Sequence, residues 1–280
     1  MNRKPIFCRT LDLNTGKPDT MAPPYLSGIS NWPNGGTVYR GQWELGDDAY
    51  DRNGAPRKIV IERKLENLKT ESVVAIDIEA NGYNGPAWKA GRNQIQFVHL
   101  CRNARPDCKF GYYGSVGHVD NALMYPQGRR AEYEAVHAGS QRLIGHLDFL
   151  SPSIYTTYVG TIKDRIGNPT PGMAESFHKK WPTPSNYGFR EWASYAKWII
   201  DLCRKYDKPV YPFYAPYTVQ NGPTGEYKVG YLRYPCPFFA DAVEFIMKHA
   251  DGMFFFDRYD ARYAPPVEQE IVKVISKYLV

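Results

Sequence analysis

Val73-Val74-Ala75-Ile76-Asp77-Ile78-Glu79 is a β-branched apolar run of strand length that carries two carboxylates at its far end. Such a run reads as a buried strand of a parallel sheet. Its surroundings fix what kind of sheet. Residues 57–69, just before it, place apolar side chains at 61, 65 and 68 and predict a helix; residues 89–104, just after it, predict another, with Ile95, Val98 and Leu100 near one side. The rhythm then continues to the end of the chain. Strands are expected at 109–113, 147–155, 209–214 and 252–257, and helices at 129–145, 189–206, 237–249 and 266–279. The helix at 189–206 carries Trp192, Tyr195, Ile199 and Leu202, and Trp192 and Trp198 are expected in the core. Strand alternating with helix means parallel strands joined by crossover helices.

Two architectures have that rhythm, a β/α barrel and an open doubly wound sheet. No Gly-x-Gly-x-x-Gly follows a strand, which weakens the dinucleotide-binding version. A length near ~250 residues and long loops after strands favour the barrel. The expected fold is therefore α/β, a TIM-like β/α barrel, irregular, with seven or eight strands. It is expected to form one catalytic domain over residues 1–280, with 1–55 a loop-rich N-terminal part of the barrel and Tyr25–Ser30 its first strand. Residues 156–188 read as a Pro- and Gly-rich excursion after a strand.

The composition excludes several classes. The chain has 280 residues, 43% hydrophobic and 23% charged, which is enough to bury a core and too apolar for disorder. No apolar run approaches the roughly 18 residues of a spanning helix, so no membrane association is expected. Met1-Asn2-Arg3-Lys4 is followed by no apolar region, so no signal peptide is expected. The expected location is cytoplasmic as synthesised, with release by lysis or carriage on a phage particle as routes to an outside polymer. The five cysteines, Cys8, Cys101, Cys108, Cys203 and Cys236, are odd in number and scattered, which argues against a disulfide framework or a zinc site. None of the six histidines makes a His-Glu-x-x-His spacing, so no metal and no cofactor are expected. The net charge of +6 admits an anionic partner but reads first as a solvated basic surface. With no basic cluster longer than Arg129-Arg130 or Lys179-Lys180, no nucleic-acid partner is expected. Nothing in the sequence speaks to oligomeric state.

Aromatic residues are abundant, at 15% with 22 tyrosines. They bunch as Gly111-Tyr112-Tyr113-Gly114, Tyr155-Thr156-Thr157-Tyr158 and Tyr211-Pro212-Phe213-Tyr214-Ala215-Pro216-Tyr217. Flat rings with a polar tip suit the faces and edges of sugars. In a β/α barrel the active site lies at the C-terminal ends of the strands. The candidates there are Asp77 and Glu79, Tyr112 and Tyr113, Ser153 and Tyr155, Tyr214, and Asp257 followed by Arg258 and Tyr259. Residues i and i+2 of a strand share a face, so Asp77 and Glu79 are expected to aim together into the mouth. Two carboxylates so close do not both ionise freely, and one is pushed towards the protonated form that a general acid needs. The plain structural alternative is an Asp77 hydrogen-bonded inside the barrel and a Glu79 capping a loop. His118 follows the Tyr113 strand and is within reach of the mouth. Trp32, Trp88 and Trp181 fall in expected loops, as sugar platforms or as rings packed under their own loops.

Four of these segments resemble the hyaluronidase-like glycoside hydrolases. Val74-Ala75-Ile76-Asp77-Ile78-Glu79 is similar to that family's Asp-x-Glu strand and Phe110-Gly111-Tyr112-Tyr113-Gly114 to its Gly-Tyr-Tyr-Gly strand end. Ser151-Pro152-Ser153-Ile154-Tyr155 resembles its Pro-Ser-Ile-Tyr motif and Lys208-Pro209-Val210-Tyr211 its Pro-Val-Tyr strand. The segments stand in family order. The resemblance implies an endo-acting glycosidase that takes a polysaccharide or oligosaccharide, amino-sugar-bearing or anionic. It also implies Glu79 as general acid/base, Asp77 as its partner, and Tyr113 or Tyr155 steadying a 2-acetamido group whose oxygen attacks the anomeric carbon. The chain departs from the family in three ways: Ile78 replaces an aromatic residue, the secretory and disulfide signals are missing, and Phe254-Phe255-Phe256-Asp257 stands where the family tends to place a Trp.

Asp257 opens a second scheme, with Glu79 as acid and Asp257 as nucleophile or base. Carboxyl separations of ~5 Å and ~6.5–9.5 Å would mark retention and inversion. A non-catalytic carbohydrate-binding barrel and a lyase are further alternatives. An aldolase wants a lysine at a strand's C-terminal end, but Lys109 and Lys208 begin their strands. No Gly-x-Ser-x-Gly elbow points to an esterase.

Overall fold

The computed structural model describes residues 6–7, 36–40, 55–66, 68, 73–77, 92–118, 141–155, 189–220, 232–235, 238–255 and 265–279. At strand positions 36–40, 77, 117–118, 217–220 and 232–235 it describes the backbone alone. In chain order the strands are β1 (Ile6–Phe7), β2 (Gly36–Arg40), β3 (Val73–Asp77), β4 (Lys109–His118), β5 (Ser151–Ser153), β6 (Phe213–Tyr214), β7 (Tyr217–Gln220), β8 (Leu232–Pro235) and β9 (Met253–Phe255). The helices are α1 (Lys58–Leu65), α2 (Arg92–Ala104), α3 (Gln141–Gly145), α4 (Phe189–Arg204), α5 (Phe239–His249) and α6 (Pro265–Leu279).

Seven strands form one sheet in the order β1-β9-β6-β5-β4-β3-β2, every neighbouring pair parallel. Apart from the first and last, each strand thus pairs with the one before it and the one after it in the sheet. The first strand, β1, pairs with the last, β9, through Ile6 with Met253 and Phe7 with Phe254. The two strands at the ends of that order, β1 and β2, also come within 8 Å of each other, Cα to Cα. A parallel sheet whose ends meet in this way is closed. The chain is a β/α barrel.

Two separate buried clusters mark the two faces of the closed sheet. One gathers Val74, Ile76, Phe110, Tyr112, Tyr214, Met253 and Phe255 with the helix residues Ile61, Leu65, Phe97, Trp192, Ile199, Val243 and Ile246. This is the layer between strands and helices. The other holds Phe7, Ala75, Phe149, Phe213 and Phe254, with Val73, Tyr113, Tyr155 and Tyr211 packed half-buried against it, and takes none of the described helix residues. That is the barrel interior. Period-two alternation of the strands divides the clusters, since Val74 and Ile76 face out where Val73 and Ala75 face in. The interior is filled by rings, with Phe213 and Phe254 stacked at 4.7 Å and 11°. Gly111 makes room for one of them. A Cβ there would lie 2.3 Å from the Phe149 ring.

The helices cover the sheet as their sequence spacing requires. α4 buries Trp192, Ala196, Ile199, Ile200 and Cys203 along one stripe, and α5 buries Phe239, Ala242, Val243, Ile246 and Met247. The Trp192 indole N–H donates to the carbonyl of Ile154 at 3.0 Å, which fixes the end of β5 against α4.

The elements expected from Val73 onward have their described counterparts with shifted ends, most of them shorter but β4 running on to His118 where a strand over 109–113 was expected; of the helix expected at 129–145, only Gln141–Gly145 lies in described residues. The N-terminal part needs correction. The expected first strand, 25–30, lies outside the described residues, and the strands found before β3 are β1 and β2. A two-residue strand such as β1 has no periodicity to read, and its burial comes from closure against β9. The β7–β8 hairpin, antiparallel with Tyr217 opposite Pro235, was also unanticipated. No helix among the described residues is long and apolar enough to cross a membrane.

Candidate active site

The C-terminal ends of β3, β4, β5 and β6 stand side by side on the barrel. Ile76 pairs with Tyr112 at the last position of the β3–β4 ladder, so Asp77 and Tyr113 stand one step further along the same row. Tyr113 in turn pairs with Ser151 of β5. Asp77 closes β3 two residues beyond Ala75, which is buried in the barrel interior.

Tyr113 and Tyr155 are the described aromatic residues of this inner rim, and both are half-buried. Their rings lie 6.3 Å apart at 34°, and Tyr113 also meets Phe213 edge-on at 4.9 Å and 83°. The Tyr113 hydroxyl donates to Ser153 Oγ at 3.3 Å. Two interior phenols on neighbouring strands, resting on a floor of phenyl rings, make a shelf that presents both a ring face and a polar edge.

A bulge in β4 shapes this rim. Tyr113 pairs with Ser151, but Ser153, two residues on, pairs with His118, so β4 bulges between them. Gly114 takes up the turn at φ 66°, a region where a Cβ is disfavoured. Inside the bulge the buried Ser115 hydroxyl accepts the Ser151 N–H at 3.1 Å, standing in for a ladder carbonyl.

Two expected site residues fall elsewhere. Tyr112 is buried in the layer between strands and helices. Tyr214 is buried in that same layer, stacked on Phe239 at 6.0 Å and tilted against Trp192 at 5.9 Å. Adjacent residues of a strand face opposite ways, so Tyr112 cannot share the interior with Tyr113, nor Tyr214 with Phe213. Glu79, Asp257, Arg258 and Tyr259 lie outside the described residues, as do Trp32, Trp88 and Trp181. His118 closes β4 with only its backbone described.

One rim residue went unread in the sequence. Arg40 is the register partner of Asp77 on β2. Its signal was the β-favouring Thr37-Val38-Tyr39 behind Gly35-Gly36, hidden in a stretch read as loop.

The other reactive groups are placed away from this rim. Lys109 starts β4, and Lys208 lies ahead of β6 and donates from Nζ to the Leu147 carbonyl at 2.5 Å, so both stand at the N-terminal ends. Cys101, Cys108 and Cys203 are free and buried, and burial pushes the Cys101 and Cys203 thiols up, away from the thiolate a nucleophile needs. Among the described residues no three His, Cys, Asp or Glu side chains gather as a metal site.

No protein-family model matches this chain, and no curated protein matches it. Among solved structures it is similar to a monoclinic crystal structure of bee venom hyaluronidase, at 12% identity over 79% of this chain and 75% of that one, with a TM-score of 0.46. It is also similar to the catalytic core of xylanase A, at 14% identity over 83% of this chain and 70% of that one, with a TM-score of 0.38.

Proposed function

We propose that the chain is a glycoside hydrolase acting on a polysaccharide at the C-terminal mouth of the barrel. One observation carries this reading: the register row that sets Asp77 beside Tyr113, whose ring is paired with Tyr155 over an interior of phenyl rings. A carboxylate-bearing strand next to a shelf of phenols is suited to gripping a sugar while a proton is moved. Glu79, two residues along the chain from Asp77, is the general acid. It gives its proton to the glycosidic oxygen as the bond to the anomeric carbon breaks, and Asp77 balances the charge that develops.

On an amino sugar, the carbonyl oxygen of the 2-acetamido group attacks the anomeric carbon from the other side. Glu79, now a carboxylate, then takes a proton from the water that opens the cyclic intermediate. Tyr113 and Tyr155 hold the acetamido group in place.

The test is reducing-end release from hyaluronan, chondroitin, chitin and xylan by wild type and Glu79→Gln. Cleavage of one polymer by wild type, with a loss of at least ~10² in rate for the variant, is the expected result. Equal rates for the two proteins, or no cleavage of any of the four polymers, would overturn the reading.

A further inference from the structure

β2 and β3 run in register over five consecutive positions, from Gly36 with Val73 to Arg40 with Asp77. Register partners on adjacent parallel strands share a face of the sheet, about 4.8 Å apart. Val38 is the partner of Ala75, and Ala75 is buried in the interior. Arg40 and Asp77 stand one pleat period further on, on that same face, at the C-terminal mouth.

Asp77 is therefore flanked by Arg40 on β2 and by Tyr113 on β4, whose hydroxyl is donated to Ser153. Along its own chain comes Glu79. Further round the rim, the charged or titratable position that the register reaches is His118, opposite Ser153. Among the described residues the row thus holds one permanent cation, at the register position beside Asp77, the first of two acids close in sequence.

We propose that Arg40 is the positioning residue of the site, holding Asp77 as the carboxylate so that Glu79 keeps the proton. The proposal rests on the reading of Glu79 as the general acid. A guanidinium stays charged at every relevant pH, and a cation within about 4–6 Å of a carboxylate lowers its pKa by about one to three units. A fixed anion at 77 then disfavours a second one at 79. Without Arg40 the two acids share their proton less unequally, and the division of roles blurs.

The test needs no substrate. Carboxyl-carbon NMR titrations of selectively labelled protein follow both acids, assigned with Asp77→Asn and Glu79→Gln. In wild type, Asp77 is expected to titrate at least about one unit below the ordinary aspartate value near 3.9, and Glu79 above the ordinary glutamate value near 4.3. In Arg40→Met the Asp77 midpoint rises by about one unit or more and that of Glu79 falls. Arg40→Lys, which keeps a cation, restores most of the difference. Asp77 titrating at or above its ordinary value in wild type overturns the proposal even if Arg40→Met fails to fold. So does a folded Arg40→Met with both midpoints unmoved. Failure to cut any polymer would sink the hydrolase reading and leave this result standing as it was measured.

Discussion

At position 111 a hydrogen atom decides how the interior packs. The Phe149 ring fills the space where a Cβ would stand, with its Cε2, Cδ2 and Cζ 2.3, 2.5 and 2.6 Å from that point. The ring is walled in by Phe254 and Tyr211, at centroid distances of 5.8 and 5.3 Å, and has nowhere to retreat. Gly111→Ala is expected to destabilise the fold by about 3 kcal/mol, the upper part of the range for overpacked cores. Gly145, the last residue of α3, has nothing within 4 Å of its Cβ position, so Gly145→Ala is expected to be neutral or to stabilise by up to about 1 kcal/mol. Urea unfolding of the two variants checks this, and equal midpoints would mean that the close approach at 111 carries no energy. The same one-residue sensitivity governs the site. The sequence showed which tyrosines cluster near strand ends, but Tyr113 and Tyr112 differ only in phase. That phase became readable once the interior partners Gly111 and Phe149 were known.

Among the elements, the N-terminal ends of the strands are pinned twice by the same device. Asp148, just ahead of β5, accepts the Phe110 N–H of β4 at 2.8 Å and is gripped by Arg102 from the last turn of α2 at 2.5 Å. Asp251, just ahead of β9, accepts the Val210 N–H at 2.9 Å and is gripped by Arg204 from the end of α4 at 2.7 and 3.1 Å. Each carboxylate ties a helix end to the strand that follows it and to the next strand along. The ion pairs are partly exposed and contribute little alone, whereas the strand N–H is part-buried and costly to strand. Asp251→Ala is therefore expected to cost about 1–3 kcal/mol and Arg204→Ala under about 1 kcal/mol. If chemical denaturation gives Arg204→Ala the larger loss, the ion pair and not the strand anchor is the working part. None of these pins was legible in the sequence, because they join residues 38 to 47 positions apart. The long helices were legible because their stripes are local, as at Trp192, Ala196, Ile199 and Cys203. β3 was legible because burial on both faces makes it a continuous apolar run. β1 and β2 were not, because their apolar residues are few and their partners, β9 and β3, lie elsewhere in the chain.

Over the whole molecule the two ends of the barrel divide the work. The C-terminal end carries the bulge at Gly114, the serine hydroxyls and the acid-bearing strand, while the N-terminal end carries the aspartate pins and a cationic cluster. That cluster is expected to make the fold sensitive to acid. His146 follows α3 and meets His99 of α2 edge to face at 4.7 Å and 72°. Its pKa is lowered, first by burial and then by the neighbouring His99, Arg102 and Lys208; the acid close in sequence, Asp148, is committed to Arg102. An unfolded chain takes up a proton on this imidazole near pH 6.5, while the folded chain refuses it until the pH is lower. The stability that neutral His146 contributes is thus complete above about pH 6.5 and falls as the pH drops through that value, levelling off below the folded-state pKa. His146→Gln, which keeps a polar side chain but cannot titrate, removes this part of the loss. Melting temperatures taken from pH 7.5 down to 5 should decline more gently for the variant than for wild type, with the two curves converging as the pH falls. Parallel curves would show that the acid sensitivity of the barrel arises somewhere other than at the His99–His146 pair.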